Sequence, residues 1–145
     1  MPDRISLNGM SERSHLDKTP NIPGSDKVVG WFGHWPRFHD AEIVDLRLGD
    51  QPLLRLRAFE MTDQTDAAGH YKLQKHCTVT FWFSDEVDFS LTSDSGTGGI
   101  AFGITFTEDG HRLKMEIEAS CGIDGWITAK TWRVDLEPTD DRESF

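Results

Sequence analysis

The residues best suited to chemistry lie in one short segment, residues 30–42, which has the sequence GWFGHWPRFHDAE. It holds His34, His39, Asp40 and Glu42, and imidazole and carboxylate groups together can bind a divalent metal or share acid–base work. The spacing is unhelpful, because adjacent residues such as His39 and Asp40 point to opposite sides of an extended chain. No HExxH or paired CxxC motif follows. The sequence therefore predicts no catalytic residue, no metal site and no cofactor; a metal-dependent hydrolase built on these four residues is the weaker alternative.

The same segment, called here the aromatic segment, is dense in rigid apolar side chains. Trp31, Trp35, Pro36 and Phe38 lie within it. A tryptophan can bury about 150–250 Å² and also dominates the energetics of protein interfaces. Two interpretations stay open, a packing device under the sheet and an exposed patch for a protein partner. They apply equally to the other three tryptophans, which are Trp82, Trp126 and Trp132.

Composition narrows the class of partner. The chain of 145 residues has a formal net charge of -10, which disfavours binding to nucleic acid or an anionic membrane, because their phosphates would be repelled. No apolar run approaches the ~20 residues that span a bilayer, and no signal-peptide core is present, so a cytoplasmic location is expected. The two cysteines, Cys77 and Cys121, are predicted to be plain buried or half-buried thiols.

The elements that position these residues are predicted to be strands. From residue 42 onward apolar and polar residues alternate with period two, in seven runs separated by turns or short loops. In the first run Val44, Leu46 and Leu48 are predicted to share the buried face, and residues 120–125 are predicted to form a turn before the last run. Successive strands without crossover helices indicate an antiparallel sheet, folded as a sandwich or an open barrel. Residues 126–136 are predicted to form the last strand, with Trp126 and Trp132 on one face. One short helical turn precedes the sheet, capped by Ser25 or Asp26 and ended by Gly33 and Pro36.

The chain is predicted to form a single mostly β domain over residues 25–138. Residues 1–24 are polar and contain three prolines, so they are expected to be a disordered arm. Residues 139–145 form an acidic tail. An exposed edge strand at residues 126–136 would allow a homodimer, so the expected state is a monomer or a homodimer.

Two blocks of the sequence carry a resemblance to a known family. Residues 33–43 have the pattern Gly-x-Trp-Pro-x-Phe-His-Asp-Ala-Glu-Ile and precede a leucine-alternating strand, and residues 121–134 precede Pro138. Together they resemble the immunity protein 50 family of bacterial polymorphic toxin systems, over roughly residues 28–138. The resemblance implies a mostly β, non-enzymatic protein that binds a toxin encoded nearby. It singles out six positions without assigning them to fold or partner: Trp35, Pro36, Phe38, His39, Asp40 and Glu42.

The expected function is therefore that of an immunity-like protein, which neutralises a cognate toxin by covering its active cleft. Its acidic charge would speed association and its buried rings would supply affinity. The main alternative is a small-molecule-binding β-barrel. Its interior would be lined by Phe81, Phe83, Phe89, Phe102, Ile104 and Phe106.

Overall fold

The computed structural model describes residues 19–65, 71–93 and 99–139. In this part a single helix, α1 (Ser25–Phe32), precedes a seven-stranded antiparallel sheet of order β4-β6-β5-β1-β2-β3-β7. The prediction of a mainly β fold with about seven strands and one short N-terminal helix is confirmed. The strands are β1 (Glu42–Arg47), β2 (Leu53–Thr65), β3 (Tyr71–Ser84), β4 (Asp88–Ser93), β5 (Gly99–Asp109), β6 (Arg112–Ala129) and β7 (Thr131–Pro138).

Strands β3 to β7 form one long two-stranded ribbon, in which the chain runs out along one arm and back along the other. β3 pairs with β7, β4 pairs with the second half of β6, and β5 pairs with its first half. These three ladders follow one another along the chain, and the turn of the whole ribbon lies at Gly110 and His111. The β1–β2 hairpin then lies between β5 and β3. The ribbon therefore curls back on itself, and β1 and β2 bridge its two halves.

The curling encloses the hydrophobic core. Phe81 of β3 and Phe106 of β5 are separated by two intervening strands, yet their ring centroids lie 5.4 Å apart. Three strand spacings in a flat sheet would separate them by about 14 Å. Both strands must therefore face each other across the core. As the alternation predicted, Cys77, Val79, Phe81 and Phe83 all lie on this inner face and are buried.

The structure corrects the predicted face of two strands. In β1 the pairing shifts between Ile43 and Asp45, so Val44 is the extra residue of a bulge and is exposed, while Ile43 is buried. In β5 the pairing shifts around Ala101, which is buried. Because a one-residue shift exchanges the two faces of a strand, the predicted inward alternation fails in both places.

The lining predicted for a small-molecule-binding barrel lies only partly inside the sheet. Phe102 and Phe89 were both expected to line it, but their side chains are 56% and 43% exposed. Inside the curled sheet the rings of Phe81, Phe106 and Trp35 contact one another. The predicted lining is therefore wrong for two of its six members.

The end of the chain is also arranged differently from the prediction. Trp126 belongs to β6 and Trp132 to β7, on either side of a tight turn at Lys130. Trp126 is half-buried on the outer face and Trp132 is buried, so the two do not share a face. Residues 120–125, predicted to be a turn, lie inside β6, where Gly122 and Gly125 have positive φ values of 91° and 141°. The Ala119 N–H donates to Asp124 Oδ2 at 3.3 Å, and Lys114 Nζ lies 5.1 Å from the Trp126 ring.

The N-terminal helix covers the free edge of β7. It begins after Gly24 rather than at a capping side chain, so the predicted cap at Ser25 or Asp26 is wrong, and it ends at Gly33. The Val134 N–H donates to Pro23 O at 3.0 Å, and Lys27 Nζ lies 2.8 Å from Asp135 Oδ1. The expected dimer edge, residues 126–136, is thus covered at Val134.

The predicted arm and tail lie largely outside the described residues, namely residues 1–18 and 140–145. Of the arm, residues 19–24 are described. Pro20 and Ile22 are buried there, and Ile22 belongs to the same core as the strands. This part of the predicted arm therefore packs with the domain.

Candidate functional site

The aromatic segment is attached to β5 by backbone hydrogen bonds. Ile104 N–H donates to Arg37 O at 2.9 Å, and Asp40 N–H donates to Ala101 O at 2.8 Å. Between these bonds Phe38 and Asp40 have positive φ values of 60° and 66°, which L-residues seldom adopt. The two left-handed residues turn the chain, so that Phe38 points into the core while His39 and Asp40 both lie on the solvent side.

The inward side chains of the segment are packing residues. Trp35, Pro36 and Phe38 are buried. The Trp35 and Phe38 rings meet edge to face at 5.8 Å, and each also contacts Phe81. These three residues therefore pack against the sheet, and a protein partner cannot reach their side chains in this structure.

Trp31 joins the helix to the start of β3. It is half-buried, and its indole N–H donates to Lys75 O at 3.0 Å. The adjacent Cys77 thiol is fully buried, and burial raises its pKa to about 12 against the opposing effect of a hydrogen bond with Trp31. The thiol is thus protonated and unreactive at neutral pH. The prediction for the cysteines holds for Cys77, whereas Cys121 is exposed.

The outward side chains of the segment are His39, Asp40 and, at the start of β1, Glu42. The Phe102 carbonyl oxygen can only accept, so His39 Nδ1 donates the 2.9 Å hydrogen bond between them. His39 Nε2 lies 3.5 Å from Asp40 Oδ2. Glu42 Oε1 accepts from Arg57 on β2 at 3.1 Å. These contacts fix the orientation of all three side chains at the protein surface.

An apolar strip continues from this group along the seam between β1 and β5. The Phe102 ring stands edge to face against His39, 5.2 Å between centroids. Ile100 is the cross-strand partner of Glu42, and Val44 is the next outward residue along β1. Phe102, Ile100 and Val44 are three of the four large hydrophobic side chains that are exposed in the described part of the chain. We call this strip, with His39, Asp40 and Glu42, the β1–β5 surface.

Sequence reasoning missed the apolar half of this surface because it assumed unbroken alternation. Phe102 was assigned to the interior and Val44 to a buried face. One signal was present in the sequence. Gly103 follows Phe102 inside a strand pattern, and an isolated glycine there often marks a bulge.

The other three tryptophans fall into two classes. Trp82 and Trp126 lie on the outer face, each half-buried under a cationic side chain: the Arg133 guanidinium is 3.9 Å from the Trp82 ring and Lys114 lies over Trp126. Trp132 is buried, and its indole N–H is bonded to two backbone carbonyls. An open aromatic platform is therefore found at none of the three.

The structure gives no support to the metal-dependent hydrolase. In the described residues no group of three or more His, Cys, Asp or Glu side chains is placed to hold a metal ion. His39 and Asp40 are engaged with Phe102 and with each other, and Glu42 with Arg57. The four residues that the sequence put together are not assembled around one centre.

A cleft of about 200 Å³ opens on the other side of His39, between the aromatic segment and β2. Aromatic side chains form much of its wall, and polar side chains of the segment stand at its rim. Its lining includes Phe32, His34, Trp35, Arg37, Phe59 and Glu60.

Comparisons with known proteins identify no relative of this chain. No family model matches the chain, and neither the curated proteins nor the solved structures contain a significant match. Among the described residues, no helix has both the length and the apolar character needed to cross a membrane.

Proposed function

We propose that this chain is an immunity-like protein that acts in the cytoplasm, where it binds a cognate bacterial toxin and neutralises it by occlusion, without catalysis. The observation that carries the proposal is the β1–β5 surface. It presents Phe102, Ile100 and Val44 to solvent on two neighbouring strands, although a folded chain gains by burying such side chains.

The polar residues around this apolar strip suit a surface that binds a protein partner. Apolar anchors surrounded by polar groups are the usual anatomy of a binding hot spot. His39 supports the Phe102 ring from the side, so the most exposed anchor is held in one orientation before binding. A preorganised side chain loses less entropy on association.

Charge favours a basic partner. The net charge of -10 attracts a basic surface at long range and raises the rate of encounter. A toxin that binds nucleic acid would present such a cleft. The resemblance of residues 33–43 to the immunity family implies a toxin as the partner without saying which kind, and the apolar strip adjoins those residues.

The test is co-expression with the product of the adjacent toxin-like gene in bacterial cells. Wild-type chain should restore growth and co-purify with the toxin. Phe102→Ser should lose protection, because truncating a central anchor typically costs 2 kcal/mol or more, about thirtyfold in affinity.

Phe89→Ser is the matched control, since Phe89 is also an exposed phenylalanine but lies on β4, away from the seam. It should protect as the wild type does. Circular dichroism should show both variants folded. Loss of protection by Phe89→Ser alone, or full protection by Phe102→Ser, would contradict the assignment of the surface. Cell death despite soluble wild-type chain would contradict the function itself.

A further inference from the structure

The side of the β1–β5 surface that faces β6 carries a carboxylate next to Phe102. Ala101 pairs with Ala119 and Gly103 with Glu118, so Phe102 is the extra residue of a bulge in β5. Two residues of a bulged strand oppose one residue of the partner strand, and Glu118 therefore lies beside Phe102. Both side chains are exposed. The most exposed apolar anchor thus has an acid as its neighbour on β6.

Glu116 extends this acidic side. Residues two apart on a strand share a face, so Glu116 lies on the same side of the sheet as Glu118, and it is also exposed. We call these two glutamates the β6 rim. Across the ladder from them lie uncharged residues, namely Gly103 and Thr105. The next residue of this face along β6, Lys114, holds its ammonium group over the Trp126 ring.

The opposite side of the apolar strip, which we call the β1 rim, consists of Asp40 and Glu42, and there the acids have basic neighbours. Glu42 Oε1 accepts from Arg57 at 3.1 Å, and Asp40 Oδ2 lies 3.5 Å from His39 Nε2. A cation brought to Glu42 would also meet the positive charge of Arg57, which opposes the attraction. A cation is therefore attracted more strongly to the β6 rim than to the β1 rim.

We propose that the partner of the β1–β5 surface has an apolar pocket for Phe102, with a lysine or arginine on the wall of the pocket that lies over the β6 rim. The partner's cation pairs with Glu118, where burial of the neighbouring anchor excludes water and strengthens the pair. Glu116 meets a second cation farther from the anchor. This inference rests on the proposed function, and it adds the chemistry of the partner and one orientation, set by the difference between the two rims.

A second copy of this chain does not meet these requirements. Contact between two copies through this surface would bring the β6 rim of each against another chain of formal net charge -10. Like charges that meet across an interface reduce affinity. The expected partner is therefore a different protein with a basic surface.

Calorimetric titration of the full chain with the purified product of the adjacent toxin-like gene tests the β6 rim. Glu118→Gln should bind about fivefold to tenfold more weakly, because a charge-assisted hydrogen bond is lost while the shape of the side chain is kept. Glu116→Gln should lose less, since it lies farther from the anchor. The gap between Glu118→Gln and the wild type should narrow when NaCl is raised from about 50 mM to about 300 mM.

Glu137→Gln is the matched control. Glu137 is an exposed strand glutamate that pairs with Thr78, much as Glu116 pairs with Thr105, but it lies on β7, three strands from β1. Glu118→Gln and Glu137→Gln remove the same charge from the whole chain, so an effect of overall charge would be equal in both. The proposal expects the affinity of Glu137→Gln to stay within about twofold of the wild type.

A second measurement needs no toxin. NMR relaxation of the backbone amides of the ¹⁵N-labelled full chain is compared between a cationic and a neutral nitroxide of the same size. The cationic nitroxide should be enriched near residues 116–118 relative to residues 42–44, because opposite charges attract it to the β6 rim. Glu118→Gln should remove much of this enrichment, and Glu137→Gln should leave it in place.

The outcomes distinguish this inference from the proposed function. If the toxin binds but Glu118→Gln and Glu137→Gln lose affinity equally, the proposed orientation is overturned and the function stands. If no toxin complex forms, the function fails, and the nitroxide comparison decides: enrichment at the β6 rim supports a basic partner, and equal enrichment at both rims overturns it. Dimerisation of the wild type that Phe102→Ser abolishes would identify a second copy as the occupant and would also overturn the proposal.

Discussion

The rings of Trp132 on β7 and Phe106 on β5 meet edge to face, with their centroids 5.5 Å apart, although three strands separate β7 from β5 in the sheet. In a flat sheet the strands would be about 19 Å apart. Trp132 also donates to Leu113 O and Ala129 O on β6. The Trp132 side chain thus holds β7 against both β5 and β6.

Replacement of this tryptophan should therefore be costly. Trp132→Phe removes the donor to two buried carbonyls and leaves unfilled volume, so we expect a loss of about 2 kcal/mol or more in the free energy of unfolding. The control is Trp126→Phe, which keeps a ring under Lys114 on the outer face and should lose less than about 1 kcal/mol. Urea unfolding measures both, and equal losses would contradict the closing role of Trp132.

Gly125 allows the ribbon of β4 and β6 to form. Its φ is +141°, and a Cβ there would collide with the Ser90 carbonyl oxygen and lie 2.9 Å from Leu91 Cα. Gly125→Ala should thus cost about 2 kcal/mol or more. Gly30→Ala is the control, because Gly30 lies in α1 with open space around it, and alanine should stabilise the helix by about 0.5–1 kcal/mol. Thermal melts should move in opposite directions.

The two cysteines should differ in reactivity by their burial. In the native protein one equivalent of an aromatic disulfide reagent should react at pH 8, at exposed Cys121, because the pKa of Cys77 is about 12. In urea both should react. Cys121→Ser should abolish the native reaction, and a rapid second equivalent without denaturant would contradict the burial of Cys77.

Acid should weaken the ion pair between Lys27 of α1 and Asp135 of β7. The hydrogen bond from Lys27, with a smaller contribution from the Leu136 backbone, lowers the pKa of Asp135 below its ordinary 3.8. A lowered carboxyl pKa stabilises the fold above the unfolded-state value, and this contribution is lost as the pH falls through the folded-state value.

A double-mutant cycle of Lys27→Gln and Asp135→Asn measures this contribution. Because the pair is exposed, its coupling should not exceed about 1 kcal/mol at pH 6.5. The coupling should shrink when the pH falls well below 3.8. A coupling that grows on acidification would contradict the assignment of the ion pair.

Local alternation in the sequence was enough to predict the strands. The inner residues of β3, Cys77 to Phe83, are found buried as predicted, because side chains of a strand alternate with period two and one face of a sheet must be covered. Gly33 was also predicted correctly to end the short helix.

Only the tertiary structure decided which faces the bulged strands present and what the aromatic segment does. The bulges in β1 and β5 depend on how each strand pairs with its neighbours, and they moved Val44 and Phe102 from the predicted interior to the surface. The burial of Trp35 and Phe38 likewise depends on Phe81 and Phe106, distant in sequence and brought close by the curl of the sheet. Side-chain periodicity is a local property of the chain, whereas register and closure arise from contacts between remote residues, which a single sequence does not encode in any local pattern.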